Sequence, residues 1–274
     1  MVTPGTQLLG TLRKTDAPMT VALVVPCYNE ADRLDDAALL GLVDRVADLS
    51  LILVNDGSKD ATEERLSELA QARPRRITTF SLPENRGKAE AVRQGLMEAL
   101  RGPADILGYF DADLATPTSE IIRLMDAIRD TGVAVVMGSR VSRLGSQIDR
   151  STFRHYVGRV FASAASVLLQ ANVYDTQCGA KLFRRTPTFQ AAVEEPFLSR
   201  WAFDVELLGR LLVGGKTAPG LAVTDFLELP LIAWREVAGS KLTARAMSRT
   251  LRDLGTIGLD LSRRRRVRRN IAER

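Results

Sequence analysis

Two cysteines, a single histidine and few aromatics (5%) are found in 274 residues, and no apolar run reaches the roughly 18 residues a membrane span requires. Each shortage excludes something. Cys27 and Cys178 make neither a disulfide framework nor a metal-ligand spacing. One histidine rules out a histidine-rich metal centre and leaves acid–base chemistry mainly to carboxylates. The stretch from Met1 to Thr20 lacks the apolar segment of a signal peptide, so residues 1–20 read as a flexible leader on a cytoplasmic protein. What remains is ordinary for a globular chain: 45% hydrophobic and 26% charged residues, with length enough for a sizeable core.

The net charge is +5, and the excess collects at the C-terminal end in Arg263-Arg264-Arg265-Arg266-Val267-Arg268-Arg269. Such a run meets nucleic acid, anionic headgroups or only water. No aromatic residue is interleaved for stacking on bases, so nucleic acid is not expected as a partner.

Short apolar runs alternate with helical patterns along the chain. Val21 to Pro26, Leu51 to Val54, Arg76 to Leu82, the run from Ile106 and Val133 to Met137 read as strands. Helices are expected at about Glu30–Val46, Lys59–Ala72, Gly87–Leu100 and Pro117–Arg129, with proline suited to a first helical turn. This order predicts an α/β fold with a mostly parallel, doubly wound sheet flanked by helices.

The stretch Ile106-Leu107-Gly108-Tyr109-Phe110-Asp111-Ala112-Asp113-Leu114 is the most informative. A buried strand offers carboxylates no partners, so Asp111 and Asp113 belong just past its C-terminal end, where ligands collect in open α/β sheets. Two hard oxygen donors there suit Mg²⁺ or Mn²⁺ holding a diphosphate, although D-x-D also recurs on exposed loops. Three further clusters fall at the same edge. Pro26-Cys27-Tyr28-Asn29-Glu30 offers Tyr28 for stacking and Glu30 at a helix start; Asn55-Asp56-Gly57-Ser58-Lys59-Asp60 offers Asp56 to a nucleoside and Asp60 as a helix cap; Asn85-Arg86-Gly87-Lys88 places cations before a helix N-terminus, which attracts phosphate. Each cluster also reads as a plain turn and cap.

Together these motifs resemble the family 2 nucleotide-sugar glycosyltransferases of GT-A fold. Gly138-Ser139-Arg140, Asp175-Thr176-Gln177-Cys178-Gly179-Ala180-Lys181, Arg200-Trp201-Ala202-Phe203-Asp204 and Trp234-Arg235-Glu236-Val237-Ala238-Gly239-Ser240-Lys241 extend the likeness to the dolichyl-phosphate sugar synthase branch, nearest its glucosyltransferases. The resemblance covers about Val21 to Leu242 and implies a catalytic domain over 21–240. It implies UDP-glucose as donor, with GDP-mannose the alternative, and a polyprenyl phosphate as acceptor. It further implies that Pro26, Tyr28, Glu30 and Asp56 line the nucleoside and that the backbone of Ala112 touches the nucleotide. Arg140, Arg235 and Lys241 would face phosphates, Lys88 would bind substrate, Arg154 would meet the acceptor phosphate, and Asp111 and Asp113 would hold the metal. Asp113, Arg235 and Lys241 are then the expected catalytic residues. Asn55 stands where many relatives carry an acid and Ala115 where some mannosyltransferases carry glutamine, which bears on donor identity rather than on reaction type.

The acceptor chemistry can be argued independently. A phosphomonoester with a second pKa of roughly 6 is largely ionised at neutral pH and attacks without a base. A hydroxyl acceptor needs a carboxylate base, for which Asp204 and Glu206 are the candidates, unless they are only the polar edge of a helix. A nucleotidyltransferase also uses acidic metal ligands but starts from a glycine-rich loop that Pro26 to Glu30 is not, and a nucleotide- or nucleic-acid-binding regulator rests on the basic run alone. For a lipid acceptor, residues 241–274 offer an amphipathic helix and basic tail, which either lies at a membrane surface or packs on the core. Phe153 to Leu169 is another apolar-rich helix, lining a lipid groove or packed inside.

Overall fold

The computed structural model describes residues 19–149, 152–236 and 244–272, with 152–157, 244–251 and 271–272 described by backbone only. The expected leader (apart from Met19 and Thr20) and Lys241 therefore lie outside the described residues, as does the side chain of Arg154.

The chain runs β1 (Val21–Cys27), α1 (Asp36–Arg45), β2 (Leu49–Asn55), α2 (Thr62–Ala72), β3 (Ile77–Ser81), α3 (Lys88–Arg101), β4 (Ile106–Tyr109), α4 (Thr118–Thr131), β5 (Val135–Ser139), β6 (Gln147–Ile148), α5 (Thr152–Leu169), β7 (Lys181–Arg184), α6 (Pro187–Glu194), α7 (Phe203–Val213), β8 (Phe226–Pro230), β9 (Ala233–Trp234) and α8 (Ala244–Ala272). Seven strands form one sheet in the order β3-β2-β1-β4-β7-β5-β8, and β6 pairs with β9 in a small separate ribbon. All neighbours in the large sheet are parallel except β7, which runs antiparallel between β4 and β5. The alternation of strand residues explains the two-sided core. On β1, Ala22 and Val24 face a layer built from α3, α5, α6, α7 and α8, while Leu23 and Val25 face α1, α2 and α4. A sheet apolar on both faces must be covered on both, the doubly wound solution.

Two element boundaries differ from the sequence pattern for local reasons. The first helix begins at Asp36, not near Glu30, because Glu30 O accepts from Arg33 N and Leu34 N in a separate turn and Asp35 then caps the helix through Ala38 N (2.9 Å). Pro117 precedes α4 rather than opening its first turn, its carbonyl accepting from Glu120 and Ile121.

The C-terminal helix packs on the core. Leu254, Ile257 and Leu261 are buried in the layer shared with α5 and α7. Its arginines are partly spent on that packing: Arg265 donates to Leu168 O (3.0 Å), Arg268 to Val213 O (2.6 Å), and Arg264 pairs with Asp260 and Glu195. Cations thus meet the carbonyl ends of α5 and α7, where the helix dipoles favour them. Among the described residues no helix is long and apolar enough to cross a membrane.

Candidate active site

The turn after β4 carries both carboxylates. Phe110 N still donates to Val24 O (3.1 Å), extending the ladder one residue; Leu114 N then closes on Asp111 O (3.2 Å), with Leu114 itself left-handed at φ 49°. Asp113 accepts from Ala115 N (3.0 Å), which fixes its carboxylate on the turn. Lys88, the first residue of α3, brings its ammonium to 2.5 Å from Asp111 Oδ1. Burial opposes the charge on Lys88, but Asp111, Asp204 and Asp113 outweigh it and hold the ammonium above the ordinary lysine range. Asp113 is pushed up by burial and then by the like charge of Asp111, against the Ala115 amide and Lys88.

Asp111 is seated on a glycine. A Cβ on Gly179 would lie 2.0 Å from Asp111 Oδ2 and 2.4 Å from its Cγ, so the carboxylate occupies space that any other residue would fill. Gly179 arrives there because β7 is antiparallel and its lead-in lies at the edge where the parallel strands end.

Glu30 stands on the same side. Burial raises its pKa, Arg33 opposes through a bidentate pair (2.8 and 2.6 Å), and the charges of Asp113 and Asp111 push it further up. Tyr28 is 40% exposed at the end of β1, and Pro26 lies within that strand opposite Val54. Asp56 is buried and accepts from Arg86 N (2.7 Å) and Gly87 N (2.8 Å), so it orders the loop that delivers Lys88. Asp60 ties the β1 and β2 loops together, accepting from Ala31 N and from Thr62.

Residues distant in sequence close the site. The backbone of Arg235 donates to Ala115 O (3.0 Å), so the segment after β9 lies against the acidic turn. Beneath it Trp234, Leu231 and Ile148 pack on Ala115 and Cys178. Ala112 is buried in the turn itself. Arg140 forks onto Asp175 through Nε (2.7 Å) and Nη2 (2.8 Å) and lies over the Trp234 ring. Burial works against that guanidinium, but Asp175 outweighs it and raises the pKa. Asp175 N in turn donates to Glu228 (2.6 Å). Of the expected site residues, then, Asp111, Asp113, Lys88, Glu30 and the Arg235 backbone converge. Asp56 is engaged in loop order and Arg140 in an ion pair.

Neither base candidate is free. Asp204 is buried and accepts from Lys181 Nζ (2.5 Å) and the Tyr109 hydroxyl; Glu206 pairs with Arg210 (2.6 Å) and accepts from Leu198 N. Three contributors escaped sequence reasoning. Gly179 and Lys181 sit within a motif whose geometry is invisible until β7 is placed. Arg200 likewise opens a recognised motif, but its bond to Asn85 (2.8 Å) across the mouth of the α3 N-terminus joins residues far apart in sequence.

The two carboxylates fit a hard divalent cation. Among the described residues no group of three or more His, Cys, Asp or Glu side chains is arranged to hold a metal ion. The pair on this turn, Asp113 being raised by burial and then by the like charge of Asp111, instead suits Mg²⁺ or Mn²⁺, which keeps positions open for diphosphate oxygens.

The glycosyl transferase family 2 profile matches residues 22–189. Dolichyl-phosphate beta-glucosyltransferase of Drosophila melanogaster is 34% identical over 83% of this chain and 71% of its own length. The protein of the same name from Saccharomyces cerevisiae is 32% identical over 83% and 70%, and that from Homo sapiens 32% over 81% and 69%. Among solved structures, glucosyl-3-phosphoglycerate synthase from Mycobacterium tuberculosis, in complex with Mn²⁺, UDP and phosphoglyceric acid, is similar with a TM-score of 0.65 at 18% identity, over 89% of this chain and 78% of that one. At that identity the likeness concerns the fold.

Proposed function

Because the chain belongs to glycosyl transferase family 2, we propose that it transfers glucose from UDP-glucose to a polyprenyl phosphate such as dolichyl phosphate. An acceptor phosphate oxygen attacks the anomeric carbon, the bond from that carbon to the UDP oxygen breaks, and UDP departs. Direct displacement inverts the centre and gives a β-linked lipid-phosphate sugar. The turn carrying Asp111 and Asp113 beside Lys88 is the observation that carries this reading, together with the names of the relatives.

Asp111 and Asp113 would hold the divalent cation, which when bound acts as a Lewis acid toward the diphosphate. Lys88, fixed by Asp111 and kept charged, faces the negative charge that grows on the leaving group. Tyr28 stacks on the base, with Pro26 and Glu30 beside it, and the Ala112 backbone touches the nucleotide. Asp56 acts from behind by ordering the Arg86–Gly87 amides. Arg235 and Lys241 meet phosphate; Arg140 holds the Asp175 lead-in and Arg154 is assigned to the acceptor. Because the acceptor is already ionised, the protein's task is to hold two anions in line, which proximity and fixed cations accomplish. The ion pairs that occupy Asp204 and Glu206 count against a hydroxyl acceptor. A lipid acceptor places the protein peripherally at a membrane surface, on the cytoplasmic side in this reading.

The test is a donor screen with a short, water-soluble polyprenyl phosphate, the product identified by mass. Glucosyl transfer from UDP-glucose that is abolished by Asp113→Ala, with the fold retained by circular dichroism, is expected. Preferential turnover of GDP-mannose overturns the donor, and full activity of the Asp113 variant overturns the metal site.

A further inference from the structure

The ribbon of β6 and β9 has two unlike sides. One packs through Trp234, Ile148 and Leu231 onto Ala115 and Cys178, directly over the acidic turn. The other carries apolar residues into solvent. Leu144 is fully exposed at the tip of the turn Arg143-Leu144-Gly145-Ser146, and Ile232 is 51% exposed on the strand-end beside it. The turn is well made: Ser146 N donates to Arg143 O (3.0 Å), the Ser146 hydroxyl accepts from Arg143 N (2.8 Å), and Gly145 adopts φ 86° as the third position of a type II turn requires. Gln147 N joins it to Ile232 O (2.6 Å), so both apolar residues ride on one hydrogen-bonded unit. Leu144 thus stands at a turn tip, a position where polar residues are usual.

Two aromatic residues near the site are exposed as well: Tyr28 at the end of β1, and Trp201 next to the Arg200 that reaches Asn85. The C-terminal helix, by contrast, has turned Leu254, Ile257 and Leu261 into the core and committed Arg264, Arg265 and Arg268 to protein partners.

We infer that the β6–β9 ribbon enters a lipid bilayer, with Leu144 and Ile232 as the inserting side chains. The inference rests on the proposed lipid-phosphate acceptor: a ribbon roofing the acidic turn, once seated in the headgroup layer, puts the mouth of the site where the acceptor phosphate lies. In sequence, Arg143, Arg150 and Arg235 stand against Asp149 and Glu236 along the ribbon's two segments, a net charge of only +1, so apolar insertion more than attraction to anionic lipid drives the contact.

The test uses the full chain and vesicle flotation. Zwitterionic phosphatidylcholine vesicles are expected to bind it, with little loss as salt rises, since screening weakens charge–charge contacts but not burial of apolar surface. Leu144→Ser and Ile232→Ser should each lower the partition constant about tenfold, from the side-chain burial forgone. In the double variant, turnover of a short soluble polyprenyl phosphate should stay at the wild-type level while turnover of a long acceptor in vesicles falls in proportion to binding. Undiminished vesicle binding by the double variant overturns the inference, as does binding that needs anionic lipid and vanishes with salt. If the substitutions abolish a dimer instead, the ribbon is a self-association surface and the inference is wrong. Failure of the soluble-acceptor reaction in the wild type counts against the proposed function, a result distinct from any of these.

Discussion

Replacing Gly179 by alanine tests how the acidic turn is built. The added methyl would stand 2.0 Å from Asp111 Oδ2, and restoring even a 3.0 Å separation moves the carboxylate by about 1 Å. Gly179 is not left-handed, so alanine brings no backbone strain of its own and the damage stays local. Lys88, paired to Asp111 at 2.5 Å, moves with it or loses the pair. A displacement of about 1 Å at a reacting centre costs on the order of 10²-fold in rate, or about 2.7 kcal/mol of transition-state stabilisation. The expected outcome is a kcat/KM for UDP-glucose lowered about a hundredfold, a higher concentration of Mg²⁺ or Mn²⁺ at half-maximal activity, and a melting temperature within a few degrees of wild type. Steady-state kinetics across a metal titration, alongside calorimetry, measures all three. An alanine variant with wild-type kcat/KM and metal requirement would refute the idea that this glycine seats the carboxylate.

Neighbouring contacts set further expectations. Lys181→Met leaves Asp204 buried without its ammonium and should destabilise the fold by about 3–5 kcal/mol in urea titrations, part of which Lys181→Met with Asp204→Leu recovers; an unchanged midpoint speaks against the pair. Asp113 is raised by burial and by Asp111, so in the metal-free protein its carboxyl should titrate above the ~4 of a free aspartate, as followed by NMR. Because the folded state holds that proton more tightly than the unfolded chain, this group's contribution to stability is full below its unfolded pKa and is lost as pH rises toward the raised value. Mg²⁺ should accordingly raise the melting temperature more at pH 7 than at pH 4, and equal shifts would contradict the assignment. Removing residues 262–274 takes Arg265 and Arg268 from the ends of α5 and α7 and should lower stability by roughly 1.5–3 kcal/mol per lost charged hydrogen bond before relaxation; a truncated chain that melts with the full one would deny the capping role.

Much of the frame was readable from residues alone, because its strands are short apolar runs broken by Gly, Asn and Asp. The acidic pair announced itself, since two carboxylates after a buried run have one sensible location. What could not be read depends on distant neighbours. Lys181 is a charged residue inside a strand, made tolerable there by Asp204, the Cys178 carbonyl and the Tyr109 ring. The reversed direction of β7 has no local signature in four residues. The arginine run reads as a solvated tail until α5 and α7 are found to end beneath it, at which point their bare carbonyls claim part of it. Arg140 illustrates the converse: its motif points to phosphate, and the folded chain gives its fork to Asp175.

The reversal of β7 has a mechanical meaning. At the reactive edge the parallel strands let go of the chain, and the loops after β1 and β2 are held chiefly by one another through Asp60. Here the chain comes in instead, anchored ahead by the strand ladder and behind by the Arg140–Asp175 fork. The span between those anchors bears on Asp111 like a stop against a spring, with little slack of its own. Changes in the loops after β1 and β2 can then retune which donor is accepted, while a change in this one incoming span is passed straight to the carboxylate.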